Sequence, residues 1–158
     1  MLNSQREKYK LIVLGDNYEN INNQNIIFAG EQKPQDLPNW YRTGDVYLHL
    51  AWIEPCGNTQ TEAMACGLPT ICCNNGGIGE TVNAANGGIV VDADNLYNFD
   101  FIDYYNPPEP NYINLIKAVK KVFSNLDYYK NKINFEYLDI NIDAIEYIKF
   151  IKKIYEKD

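Results

Sequence analysis

Short apolar runs alternate with helix-forming or turn-rich segments along the first ninety residues of this chain, and this rhythm restricts the fold most. The runs cover residues 11–15, 26–30, 45–51, 70–73 and 88–91. They are continuous or nearly so, as in strands that are covered on both faces. The first two end in glycine, where a strand passes into a loop. The pattern predicts an α/β fold with a parallel sheet and flanking helices.

The length and charge of the chain exclude several classes of protein. At 158 residues we expect a single domain with a substantial core. The net charge is −7, and the only arginines are Arg6 and Arg42, so nucleic acid is not an expected partner. The apolar runs are too short for a membrane span, and the first ten residues lack the apolar region of a signal peptide. We therefore expect a cytoplasmic protein without a membrane span.

The four cysteines, Cys56, Cys66, Cys72 and Cys73, fall within eighteen residues. They leave both ends of the chain bare, unlike a disulfide framework, and contain no C-x2-C pair of the kind that binds zinc. We expect reduced thiols that act as small buried hydrophobic residues. No metal site is predicted.

The last third of the chain has a different composition. Residues 92–111 are rich in acids, aromatics and proline, which predicts a surface excursion. Apolar residues then recur at helical spacing over 113–126 and again over 145–155, which predicts amphipathic helices. The predicted organisation is one domain, 1–158, with its core at about 11–94 and C-terminal helices in 112–158.

The segment 52–69 carries the clearest functional signal. It follows the predicted strand at 45–51, turns at Gly57, and has a strongly helix-forming stretch at 62–66 that Gly67 ends. Asn58 or Thr59 is the predicted helix cap. The helix N-terminus would then lie at the carboxyl edge of the sheet, where its free N–H groups favour an anion such as a diphosphate.

Structural explanations for the polar residues of this segment stay open. Thr59 and Glu62 have the spacing of a capping box, in which both side chains bond to the backbone of their own helix. Glu54 could serve only as an acid near a helix N-terminus. His49 is a candidate contact to a sugar phosphate, although a structural histidine is the more common case.

Glu54 and Glu62 are separated by seven residues within E-P-C-G-x4-E-A-M-A-C-G-x-P. This motif closely resembles the E-x7-E motif of the retaining GT-B glycosyltransferases of the group 1 type. Flanking segments of this chain also resemble the family: 27–30, 45–48, the glycine-rich 76–80 and 86–91. The resemblance implies a Rossmann-like domain that forms one half of a GT-B fold, the C-terminal half that binds the donor.

The same resemblance implies a role for each matching residue. Glu54 would be catalytic and face the donor sugar, and Glu62 would bind the donor ribose. The donor would also be bound by the backbone of Cys56, Gly57, Asn58 and Thr59 and by Phe28, Gly30, Gly76 and Gly77. The expected ligands are a nucleotide-sugar donor and a glycan or other acceptor. No cofactor is expected, and an N-terminal acceptor-binding domain or chain is the expected partner.

Two departures from the family pattern leave other functions open. Leu50 and Ala51 stand where most members have Pro-Ser, and the family's Arg and Lys clamp for the diphosphate has no match here. One alternative is a non-catalytic nucleotide-sugar-binding or assembly module that needs a separate acceptor-binding chain. Another is a cysteine-based metal or redox protein, which would require the four cysteines to converge.

Overall fold

A computed structural model describes residues 9–15, 21–51, 54–74, 76–92 and 109–156. The chain forms two compact units, Met1–Asn39 and Trp40–Asp158. The predicted surface excursion at 92–111 falls almost entirely outside the described residues. The predicted single domain, 1–158, remains a prediction.

The first unit contains two parallel strands, β1 (Leu11–Leu14) and β2 (Ile26–Gly30). Leu11 pairs with Ile26, and the register shifts after Val13. The parallel pairing agrees with the sequence prediction. Helix α1 (Leu37–Thr43) begins at the end of this unit and continues into the next.

The second unit is built on a three-stranded parallel sheet. Its strands are β3 (Tyr47–His49), β4 (Thr70–Cys73) and β5 (Gly88–Val91), in the order β3-β4-β5. Helix α2 (Asn58–Ala65) connects β3 to β4, and helix α3 (Ile78–Ala84) connects β4 to β5. Because the strands are parallel, both helices start at the carboxyl edge of the sheet.

The central strand β4 is fully buried, as its continuous apolar sequence predicts. Cys72 belongs to a cluster with residues of α2 and α3, including Met64 and Val82. Ile71 belongs to a second cluster with α4 (Tyr112–Ser124) and α5 (Leu126–Lys132). Since neighbouring residues of a strand point to opposite faces, helices cover both sides of this sheet. The predicted α/β class is confirmed.

The chain continues through a 3₁₀ helix, Glu136–Leu138, into α6 (Ile140–Tyr155). Every residue of α6 is exposed, and the exposed set includes Ile140, Tyr147 and Tyr155. An amphipathic helix is therefore present where the sequence predicts one, but its apolar side takes no part in the core. No helix among the described residues is long and apolar enough to cross a membrane.

Two elements differ from the sequence predictions. The strand expected at 45–51 is only Tyr47–His49, because the chain leaves the sheet at Leu50. The glycine-rich segment 76–80 leads directly into α3, a helix without a sequence prediction, whose buried Ile78 and Val82 pack in the core.

Candidate functional site

The loops that follow β3 and β4 meet at the carboxyl edge of the sheet. Glu54 and Gly76 form an isolated parallel β-bridge. The Gly77 N–H donates to the Glu54 carbonyl oxygen at 3.1 Å. The backbone of Glu54 is therefore held by the neighbouring loop, and its half-buried side chain is placed at this edge.

Close backbone packing explains the two glycines of that loop. A Cβ atom on Gly77 would collide with the carbonyl oxygen of Pro55, and one on Gly76 would lie 2.5 Å from the carbonyl oxygen of Glu54. Gly76 also has a φ of +74°, which favours glycine. These residues thus have a packing role. Their role in donor binding remains a prediction.

Helix α2 begins without a side-chain cap. Its N-cap residue is Gly57, in extended conformation, and no side chain of the residues described around it makes a capping hydrogen bond. Neither Asn58 nor Thr59 is the cap, so that prediction is wrong. The Thr59–Glu62 capping box is absent too, because both side chains bond elsewhere. The first-turn N–H groups, which have no partner within a helix, are left for a ligand or water.

Glu62 lies on the exposed surface of α2 and accepts a hydrogen bond from Tyr41. The distance from the Tyr41 hydroxyl to Glu62 Oε2 is 3.1 Å. Tyr41 is only 6% exposed. Burial and the neighbouring Glu62 carboxylate both raise the pKa of Tyr41, so its phenol stays protonated and can donate.

Thr59, one turn before Glu62 on the same side of the helix, meets the end of β3. Its Oγ1 lies 3.4 Å from His49 Nδ1. Burial lowers the pKa of His49, against the opposing effect of the Glu54 charge. Burial raises the pKa of Tyr47, although the neighbouring Thr59 hydroxyl acts in the other direction. Thr59 is therefore held by strand side chains rather than by its own helix.

Gln60 is completely buried beneath the start of α2. Neither atom of its side-chain amide has a hydrogen-bond partner within the described part of the chain. A Cβ atom on Gly57 would collide with Gln60 Oε1, so glycine is required where this loop crosses the amide.

The predicted site residues fall into two groups. One group lies in the second unit, at or next to the carboxyl edge of its sheet, and consists of Glu54, Glu62, Gly76, Gly77 and residues 56–59. Phe28 and Gly30 lie in β2 of the first unit. Tyr41, Tyr47 and Gln60 were missed by the sequence analysis. For Tyr47 a signal was available, because residues two apart on a strand share a face and Tyr47 therefore lies beside His49.

The cysteines show no shared site. All four are free, and Cys72 and Cys73 are buried as predicted. Cys56 is exposed, so the prediction of a buried hydrophobic role is wrong there, because it lies in the loop before α2. Among the residues that the structure describes, no group of three or more His, Cys, Asp or Glu residues could hold a metal ion.

Comparison with known proteins identifies the class of protein. The family model for glycosyl transferases group 1 matches residues 1–99, and this chain belongs to that family. Its fold is similar to that of a sucrose-phosphate synthase from Thermosynechococcus elongatus. The TM-score is 0.55 with 20% sequence identity, over 85% of this chain and 31% of that one.

The amino-acid sequence of this chain is similar to parts of two other bacterial proteins. YtcC of Bacillus subtilis (strain 168) is 39% identical over 101 residues, which are 63% of this chain and 21% of that protein. The mannosylfructose-phosphate synthase of Agrobacterium fabrum (strain C58 / ATCC 33970) is 35% identical over 78 residues, 49% of this chain and 15% of that enzyme. The chain thus spans only a small part of the length of these relatives.

Proposed function

We propose that this chain binds the nucleotide-sugar donor in a retaining, cytoplasmic glycosyltransferase that transfers a sugar to a glycan or other acceptor. The observation that carries the proposal is the arrangement around α2. Its uncapped N-terminus lies at the sheet edge, with Glu54 placed by the adjoining loop and Glu62 on the following turn. The family membership of the chain supports it.

In this proposal the diphosphate lies at the start of α2. The first-turn N–H groups and the positive end of the helix dipole favour its negative charge, without a requirement for a metal ion. The absence of a side-chain cap matters here, because a capping oxygen would compete with the phosphate for those N–H groups. Exposed Asn58 and Thr59 begin this turn.

The two carboxylates bind different parts of the donor. Glu62, one turn into the helix, accepts hydrogen bonds from the ribose hydroxyls, since a carboxylate has acceptor positions for two hydroxyl donors. Glu54 faces the sugar, where its negative charge stabilises the positive charge that develops at the anomeric carbon as the diphosphate leaves. An acceptor-binding domain or chain completes the reaction in this proposal.

Calorimetric titration with UDP, GDP and ADP tests the assignment of Glu62. Glu62→Gln should weaken binding of the preferred nucleotide roughly tenfold, because it removes a charged acceptor of hydrogen bonds. Asp127→Asn is the matched control, since it also removes one exposed negative charge, but on α5. Equal binding by Glu62→Gln and the wild-type chain would overturn the assignment.

The same titration with the corresponding nucleotide sugar tests Glu54. Glu54→Gln should weaken binding of the nucleotide sugar but leave that of the bare nucleoside diphosphate within about twofold, because Glu54 is assigned only to the sugar. A parallel loss for both ligands would show that Glu54 does not distinguish the sugar.

A further inference from the structure

Glu62 is exposed, yet one of its two carboxylate oxygens is already bound within the chain. The Tyr41 hydroxyl donates to Oε2 at 3.1 Å. The other oxygen, Oε1, has no hydrogen bond to any residue that the structure describes. An exposed glutamate ordinarily samples several rotamers, at a cost in entropy when a ligand fixes it. A buried donor that holds one oxygen reduces that cost.

Tyr41 is itself fixed in place. It is 6% exposed, and its ring packs edge-on against Tyr47 with the ring centroids 5.8 Å apart. Its pKa is raised by burial and by the Glu62 carboxylate, so the phenol does not ionise under ordinary conditions. The donor is therefore rigid and permanent, whereas Lys or Arg at this place would also neutralise the carboxylate.

We infer that Tyr41 is a positioning residue, which holds the Glu62 carboxylate so that it distinguishes ribose from deoxyribose in the bound nucleotide. The inference rests on the proposed function, in which Glu62 binds the ribose hydroxyls. It adds a residue that touches no ligand and acts only through Glu62. A carboxylate that is already held in position binds a hydroxyl group more tightly than a freely rotating one, because it loses less rotamer freedom on binding.

The test is the ratio of two affinities. The dissociation constant is measured for the nucleoside diphosphate that the wild-type chain prefers among UDP, GDP and ADP, and for its 2′-deoxy counterpart. We expect the wild-type chain to favour the ribose form about tenfold and Tyr41→Phe to reduce that preference to about threefold or less. Tyr41→Phe removes only the hydroxyl, and thermal unfolding followed by circular dichroism verifies that the variant is folded.

Tyr47→Phe is the matched control. Tyr47 is a partly buried tyrosine whose ring contacts that of Tyr41, but no hydrogen bond joins its hydroxyl to Glu62 within the described residues. Loss of its hydroxyl should change both affinities by the same factor and leave their ratio unchanged. A purely structural effect of Tyr41→Phe would behave in the same way, so the ratio separates positioning from stability.

The outcomes distinguish this inference from the proposed function. If Glu62→Gln abolishes the ribose preference but Tyr41→Phe keeps it, Glu62 binds ribose and the role given to Tyr41 is wrong. If the wild-type chain binds no nucleotide, or binds the ribose and deoxyribose forms equally, the proposed function and this inference both fail.

Discussion

At the scale of single residues, the two thiols of β4 show how strongly burial controls chemistry in this chain. Cys72 is fully buried, and its burial raises the pKa of the thiol from 9.0 to about 12. At pH 8 this thiol is therefore almost entirely protonated, and the thiolate is the reactive form. Cys56, by contrast, is exposed in the loop before α2.

We therefore predict that iodoacetamide at pH 8 modifies Cys56 first in the native chain, and Cys72 and Cys73 only after unfolding. Peptide mass spectrometry after timed labelling measures the order. Cys56→Ser is the control, and it should remove the fastest phase without exposing the other thiols. Rapid modification of Cys72 in the folded chain would contradict the burial of β4.

The site residues differ in how far the sequence could predict them. Glu54 and Glu62 could be found because their spacing and neighbours form a motif. The partner of Glu62 could not, because Tyr41 is twenty-one residues away and comes near only when α1 packs beside α2. The capping box was a reasonable local prediction for Thr59, but tertiary contacts with β3 replaced it.

At the scale of elements, the bridge between the loops after β3 and β4 determines where Glu54 lies. Gly77 has a right-handed helical backbone, φ −82° and ψ −8°, which alanine also adopts. Any effect of an added methyl group must therefore come from its collision with the Pro55 carbonyl oxygen.

Gly77→Ala should push the two loops apart and lower the free energy of unfolding by roughly 1–3 kcal/mol. It should also weaken binding of a nucleotide sugar more than binding of the bare nucleotide, because Glu54 moves. Urea unfolding and calorimetric titration measure the two effects. Gly44→Ala is the control, since its Cβ would meet only the movable side chain of Leu68 at 3.2 Å and its own chain at 3.5 Å. A Gly77→Ala chain as stable as the wild type would refute the packing role.

Strands and helices were predictable to different degrees. The continuous apolar sequences of β2, β4 and β5 predicted their bounds, although only β4 of these three is fully buried. Helix α3 was not predicted from the sequence. Its helical pattern spans only seven residues, and the evidence for it is the packing of Ile78 and Val82 on the sheet.

At the scale of the whole molecule, the second unit has a core that ends before α6. The two buried clusters draw on α2, α3, α4, α5 and the sheet, while every side chain of α6 is exposed. Among the described elements, α6 packs on the 3₁₀ helix, Glu136–Leu138, that precedes it. Its sixteen residues are close to the length at which an isolated helix is only marginally stable in water.

Removal of residues 140–158 should therefore change the free energy of unfolding by no more than about 0.5 kcal/mol. Urea unfolding followed by circular dichroism measures it. Val122→Ala in the buried face of α4 is the comparison, with an expected loss of roughly 2 kcal/mol. A truncated chain that loses as much stability as Val122→Ala would show that α6 belongs to the core.

The separation of α6 from the core also sets where a protease would cut first. The segment around Asp139 links the packed core to α6, which makes few contacts with that core. The backbone there can therefore unfold locally without disturbing either buried cluster. A nick there would separate the isoleucine-rich α6 from the rest of the chain. The remaining body would still carry α2, Glu54 and Glu62, so trimming would shorten the molecule and spare its site.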